Sequence, residues 1–229
     1  MAKKKIAMSF SGKDSVLALH KLLKDDNYEV ACLLITANDE YKRTGMHGVR
    51  IELLRTQADS IGIPLKIVFI PKDCSNEVYQ SIMSTACKEL LSTGINIVAF
   101  GDILLEDVRK YREEMLEKVG ISAVFPLWGM STNDVIDEFL ELGYKTVLTC
   151  VDTTKLDENF AGKVLDRALI ADFPDGVDIC GENGEYHSFV FDGPVFNFPI
   201  NYTVGEKRMV EDAYTKQMRF CFADINFVE

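Results

Sequence analysis

The 229-residue chain is long enough for one large domain, or one domain with an appended subdomain, and 47% hydrophobic with 27% charged residues suits a sizeable core. A formal net charge of −11 argues against a general nucleic-acid binder, because an acidic surface repels a phosphate backbone. There is no secretory signal pattern and no apolar run of membrane-spanning length, and the six cysteines form no CxxC pair, so a reduced, cytoplasmic, membrane-free protein is expected.

Short apolar runs alternate with longer stretches of helical periodicity from residue 4 to about 172. After the solvated entry Lys3-Lys4-Lys5, the run Lys5–Phe10 predicts a strand. Ser15–Lys24 predicts a helix with Val16, Leu17, Leu19, Leu22 and Leu23 on one face. The series continues with strand Val30–Thr36, helix Val49–Ile61, strand Leu65–Ile70, helix Val78–Leu91 and strand Ile95–Phe100. Helix Asp107–Val119, strand Ala123–Phe125, helix Asn133–Leu142, strand Thr146–Val151 and helix Gly162–Asp172 complete it. Apolar strands separated by amphipathic helices predict an α/β fold, a doubly wound, mostly parallel sheet with helices on both faces.

Beyond residue 173 the texture changes. Glycines and prolines punctuate short aromatic-polar runs such as Tyr186–Phe191, Val195–Ile200 and Met218–Phe222, which suit antiparallel or edge strands. The expected organisation is a nucleotide-binding α/β domain over 1–172 and a small β-rich C-terminal substrate subdomain over 173–229. Its aromatic-rich strands offer an edge for a homodimer.

Ser11-Gly12-Lys13-Asp14-Ser15 falls between the first strand and the first helix, where an open parallel sheet binds ligands. Gly12 lets backbone approach a phosphate, and the N–H groups of residues 13–16 at the helix start favour an anion. Lys13 adds a mobile charge, while Ser11 and Ser15 add hydroxyl donors, with Ser9 just upstream at the strand end. Asp14 can cap the helix or help hold Mg²⁺. The spacing is not GxxxxGK[ST], so kinase-type and GTPase-type mechanisms lose weight. An ordinary capped turn is the competing reading of the same five residues.

Other segments carry chemistry too. His47-Gly48 is a turn or faces the ligand. Gly101-Asp102 ends a strand, where the glycine admits a ligand and Asp102 binds Mg²⁺ or a ribose, or caps the next helix. Glu106, Arg109 and Arg112 share a helix face that reads as solvated with one intrahelical ion pair. Trp128, the single tryptophan, reads as a core residue. Glu182-Asn183-Gly184-Glu185-Tyr186-His187 is the densest polar segment, either a plain loop or a group of acids and bases.

The loop resembles the SGGxDS loop of the ATP pyrophosphatases, whose fold is adenine nucleotide alpha hydrolase-like. Further segments are similar to the motif blocks of the diphthine–ammonia ligase family. They are Tyr41-Lys42-Arg43 with Met46-His47-Gly48-Val49-Arg50, Phe100-Gly101-Asp102-Ile103 with Glu106 to Arg112, Pro126-Leu127-Trp128-Gly129, and Cys180 to His187 followed by Asp192-Gly193-Pro194. The short C-terminus and the Glu-Asn-Gly-Glu-Tyr-His version resemble the bacterial branch. Phe10 and Ser11 depart from the two small residues that the family often places there.

The resemblance implies an ATP-dependent amide ligase with Mg²⁺. A carboxylate, diphthine or another, attacks the α-phosphorus, pyrophosphate leaves, and ammonia displaces AMP. It implies Lys13, Glu182, Glu185 and His187 as catalytic residues. Nucleotide contacts are implied from Ser9, Ser11, Gly12, Lys13, Asp14, Ser15, Thr36, His47, Gly48, Gly101 and Asp102, and metal contacts from Asp14 and Asp102. A tRNA sulfurtransferase using Cys150 and Cys180, and a non-catalytic ATP-binding module, are the alternatives.

Overall fold

The computed structural model describes residues 2–212 and 215–228. Five parallel strands make the first sheet: β1 (Lys4–Ser9), β2 (Tyr28–Asn38), β3 (Leu65–Ile70), β4 (Ile97–Ala99) and β5 (Ser122–Val124), in the order β3-β2-β1-β4-β5. The crossovers are α1 (Lys13–Lys24), α2 (Ile51–Ile61), α3 (Asn76–Ser92) and α4 (Glu106–Glu117), with α5 (Thr132–Glu141) after β5.

Both faces of this sheet are buried, which explains its near-continuous apolar strands. Alternate residues feed two cores. Ile6, Met8, Leu33, Ile35, Ile97 and Ala99 pack with α1, α2 and the second sheet, whereas Ala7, Cys32, Leu34 and Val98 pack with α3 and α4. Val16, Leu17 and Leu19 of α1 are fully buried, each contributing about 1.5–3 kcal/mol of apolar transfer. Acidic Asp14 in the first turn of α1 and Lys21 and Lys24 in the last suit its dipole.

The second sheet is antiparallel, in the order β7-β6-β9-β8, from β6 (Lys145–Asp152), β7 (Tyr186–Asp192), β8 (Tyr202–Glu211) and β9 (Met218–Phe227). This corrects the expectation for Thr146–Val151, which joins the antiparallel sheet rather than the parallel series. Seven consecutive residues of β6 are buried, so its apolar run looks like a parallel strand. Val195–Ile200 is loop, and the helix expected over 162–172 contracts to α6 (Arg167–Ala171). Among the described residues no helix is long and apolar enough to cross a membrane.

Two ion-pair clusters tie the second sheet together and to the first unit. Arg43 and Arg50 both reach Asp224 of β9, at 2.8 and 2.7 Å, and hold its carboxyl below the usual range despite burial. Arg219 pairs with the buried Asp152 at 2.6 Å and with Asp212 at 3.3 Å.

Candidate active site

The winding of the first sheet reverses between β1 and β4, and the crevice beyond their carboxyl ends is where such folds bind ligands. The turns after β1 and β4 meet there. A Cβ on Gly101 would lie 2.7 Å from the Asp14 carbonyl carbon and the Ser15 nitrogen, so backbone packs directly on backbone. The glycine therefore admits the first turn of α1, rather than a ligand as its position had suggested. Gly12 is similarly covered: a Cβ would come within 2.6 Å of His47 Cε1 and 3.2 Å of the Ser188 carbonyl.

The turn is internally braced. Ser15 Oγ accepts from the Ser11 amide at 2.8 Å and donates to the Gly12 carbonyl at 2.7 Å. Of the helix-start amides, Val16 N–H returns to the Gly12 carbonyl, and Lys13 N–H donates to Ser188 Oγ of β7 at 3.3 Å. Part of the anion-binding set expected of residues 13–16 is thus already satisfied by protein.

Lys13 is not a mobile charge. Its side chain is 3% exposed, and its Nζ donates to both Asp14 oxygens at 2.9 Å and to the Cys180 carbonyl, 5.1 Å from the Tyr186 ring centre. Burial opposes the charge, but Asp14 outweighs it and the ammonium is held above its ordinary pKa. Asp102 faces the same crevice. Burial raises its pKa, and Arg112 counteracts this. Its Oδ2 is buried without a hydrogen-bond partner, though Arg112 Nε lies 3.3 Å away.

Asp14 and Asp102 line one cleft, and the described residues hold no group of three or more His, Cys, Asp or Glu set for a metal. Mg²⁺ is commonly held by one or two carboxylates with waters and substrate phosphates, so the unpartnered Asp102 oxygen beside Asp14 fits that ion.

Across the crevice stand His47 and the segment after Cys180. The rings of His47 and His187 are 4.8 Å apart, and His47 Nδ1 is 3.0 Å from the Ser188 carbonyl. Burial first, then His47 and Lys13, push His187 down to about 3, and burial lowers His47 as well. Both imidazoles are neutral at pH 7. Glu182 lines the cleft and accepts from the Leu104 amide at 3.1 Å, and burial raises its pKa.

Glu185 and Gly48 stand outside the cleft lining, a correction to the expected site. The Glu185 carboxylate is 2% exposed and accepts from the Asp178 amide at 3.2 Å and from the Asn183 backbone and side chain, both at 3.0 Å. Such a carboxylate shapes its own loop. Gly48, at φ +64°, has its absent Cβ directed at Phe222, 2.6 Å from Cδ1, so a side chain there is excluded by the second sheet.

Cys180 lines the crevice, but its thiol is buried and hydrogen-bonded. Burial pushes the Cys180 thiol up to about 12 and raises Cys150 as well, and Cys180 Sγ donates to the Thr132 carbonyl. The chemistry required by the sulfurtransferase alternative loses its thiolate.

The cleft has two lobes. A polar lobe of about 700 Å³ is bounded by the 11–15 loop, Gly101-Asp102 and Cys180 to Ser188. A more apolar lobe of about 600 Å³ lies between the ends of β1, β2 and β4 and helices α3 and α4, with Leu34, Thr36, Tyr79, Met83, Phe100 and Tyr111 among its walls. Ser9, Ser11, Met46, His47, Val108 and Arg112 line both, which makes them one space.

Sequence reasoning missed Tyr79 and Met83, gave Tyr111 no role within its motif block, and treated Arg112 as solvated. Arg109 does form an intrahelical ion pair, but with Glu113 at 2.9 Å rather than with Glu106. Trp128 is half-buried and stacks under the Arg109 guanidinium at 4.6 Å instead of entering the core.

The family model described as the diphthamide synthase N-terminal domain matches residues 3–123, and that of the diphthamide synthase C-terminal domain matches residues 131–220. Diphthine–ammonia ligase of Bos taurus is 28% identical over 108 residues, covering 45% of this chain and 40% of that protein. The Schizosaccharomyces pombe protein of the same name is 27% identical over 158 residues, covering 66% of this chain and 25% of that protein. The chain thus spans less than half the length of these relatives. A solved structure of a predicted subunit of tRNA methyltransferase from Methanocaldococcus jannaschii aligns at 19% identity with a TM-score of 0.42, covering 81% of this chain and 95% of that one.

Proposed function

The chain belongs to the diphthamide synthase family, and from that premise we propose that it is an ATP-dependent ligase that adenylates a carboxylate and then transfers ammonia to it, releasing pyrophosphate and AMP. The observation that carries this reading is the continuity of the two lobes: an apolar volume suited to a nucleoside opens directly onto the Ser11–Ser15 turn. A base beside Leu34 and Thr36 directs its phosphates over that turn. Residues 1–172 supply the nucleotide side in this reading, and 173–229 contribute Glu182 and His187 on the substrate side.

Each residue then has a physical task. Lys13, paired with Asp14, braces the turn so that its donors need no reorganisation during reaction. Ser9 and Ser11 present hydroxyls along the phosphate path. Asp14 and Asp102 would hold Mg²⁺, which supplies charge neutralisation at the phosphates. Glu182, with its raised pKa, is the better acceptor for the proton lost by the attacking ammonia. His187, depressed to about 3, serves as a neutral hydrogen-bonding wall. Attack by a carboxylate needs no protein nucleophile, so catalysis rests on positioning and electrostatics.

Incubation with ATP, Mg²⁺, ammonia and a panel of carboxylates tests the proposal. AMP and pyrophosphate should appear only when a suitable carboxylate is present. ADP and phosphate as products, or nucleotide binding with no turnover on any carboxylate, would remove the ligase reading.

A further inference from the structure

The cleft poses a charge problem. Three carboxylates, Asp14, Asp102 and Glu182, line the polar lobe against two cations, Lys13 and Arg112. Lys13 is buried and committed to Asp14 and the Cys180 carbonyl. Lys118 lines only the apolar lobe. A polyanion entering the polar lobe therefore meets, among the described residues, one cation without a hydrogen-bonded partner, Arg112.

We propose that Arg112 is the residue that recognises the first phosphate of the nucleotide, at the junction where the nucleoside lobe meets the polar lobe. Among the described residues, Arg112 is the one charged side chain that lines both lobes. Two loose tethers park it there. Its Nε is 3.3 Å from Asp102 Oδ2 without hydrogen-bond alignment, and its guanidinium lies 4.3 Å from the Phe100 ring centre. Among the described residues no hydrogen bond engages the guanidinium, so its planar fork of N–H donors remains available.

A phosphate attached to a nucleoside in the apolar lobe emerges beside that fork. Transfer of the fork from Asp102 to the phosphate exchanges an unaligned ion pair for bidentate, charge-assisted hydrogen bonds. It also releases Asp102 Oδ2 toward the cleft. The inference deepens the nucleotide reading and rests on it. It assigns to α4 a role that the helix's solvent-facing charge pattern conceals.

Adenosine and AMP differ by that one phosphate, so their binding to the full chain, measured by calorimetry without Mg²⁺, isolates the contact. Arg112→Gln should weaken AMP roughly ten- to a hundredfold while leaving adenosine within about twofold. Arg112→Lys, which keeps the charge and loses the fork, should fall between. Arg109→Gln, which removes a charge from the same helix outside the cleft, should bind AMP like the unchanged chain. Equal losses for AMP and adenosine would show that Arg112 only shapes the nucleoside lobe. An unaltered AMP affinity in Arg112→Gln, or an equal loss in Arg109→Gln, overturns the assignment with the nucleotide reading left standing. An unchanged chain that binds neither ligand overturns both.

Discussion

Replacing Gly101 by alanine tests whether the two turns of the switch point form one rigid unit. The new Cβ would sit 2.7 Å from the Asp14 carbonyl carbon, 2.7 Å from the Ser15 nitrogen and 2.9 Å from the Asp14 oxygen. Carbon contacts settle near 3.5–4.0 Å, so the backbones must separate by roughly 0.8 Å. No rotamer change relieves this, because every neighbour is main chain. Forced overpacking of this kind costs about 1–3 kcal/mol, and at this chain length each kcal/mol lowers Tm by roughly 2–4 °C.

Gly45 provides the internal comparison, since its Cβ would meet nothing within 4 Å and its backbone carries no positive φ. Gly45→Ala should therefore leave Tm within about 2 °C, the effect of an unstrained surface change. The movement in Gly101→Ala displaces the start of α1, and nucleotide affinity should fall alongside stability. The measurement is a pair of thermal unfolding scans together with AMP titrations. Equal Tm values for the two variants, or full AMP affinity in Gly101→Ala, would refute the close-packing argument.

Two further perturbations probe the opposite wall. Glu185→Ala removes the acceptor of the half-buried Asp178 amide and of the exposed Asn183 amide, at about 1–2 kcal/mol in all because water reaches the latter; a lower Tm, partly restored in Glu185→Gln, is expected in calorimetric scans. A Tm unchanged in Glu185→Ala, with catalysis alone lost, would return Glu185 to the mechanism. His187 has a folded-state value near 3, well below its ordinary 6.5, so the unfolded chain binds the extra proton between those limits. Stability should therefore fall as pH drops from 6.5 toward 3, and His187→Asn should flatten that decline; parallel Tm–pH curves for the two proteins would contradict the burial assignment.

Much of the first sheet is legible in the sequence because its constraints are local. Leu65–Ile70 coincides with β3, and the other parallel strands and their helices shift at the ends. The second sheet resists the same reading for two opposite reasons. β6 is buried almost throughout and loses its alternation, whereas β8 is exposed along most of Tyr202–Glu211, with Glu206-Lys207-Arg208 in its middle. Neither strand shows the half-buried pattern that period-2 reasoning detects. Within the candidate site, position after a strand identified the 11–15 turn. Spacing could not separate Glu182, which faces the cleft, from Glu185, which faces its own loop three residues later.

The same limit explains Lys13. A lysine following glycine at a helix start suggests a flexible charge sent toward phosphate, and nothing within the five-residue motif says otherwise. What fixes it is its neighbour Asp14 together with groups more than 160 residues away, the Cys180 carbonyl, the Tyr186 ring and the Ser188 hydroxyl beneath its amide. The antiparallel sheet is therefore part of the 11–15 turn, with Tyr186 and Ser188 of β7 against Lys13 at the start of α1. Separating residues 1–172 from the rest would strip Lys13 of its Cys180, Tyr186 and Ser188 contacts and leave it with Asp14 alone. An acidic cleft with its buried cation already neutralised by Asp14 must recruit further positive charge to hold a triphosphate. In the proposed reading that work falls to Arg112 and to a cation between Asp14 and Asp102, which line the same cleft.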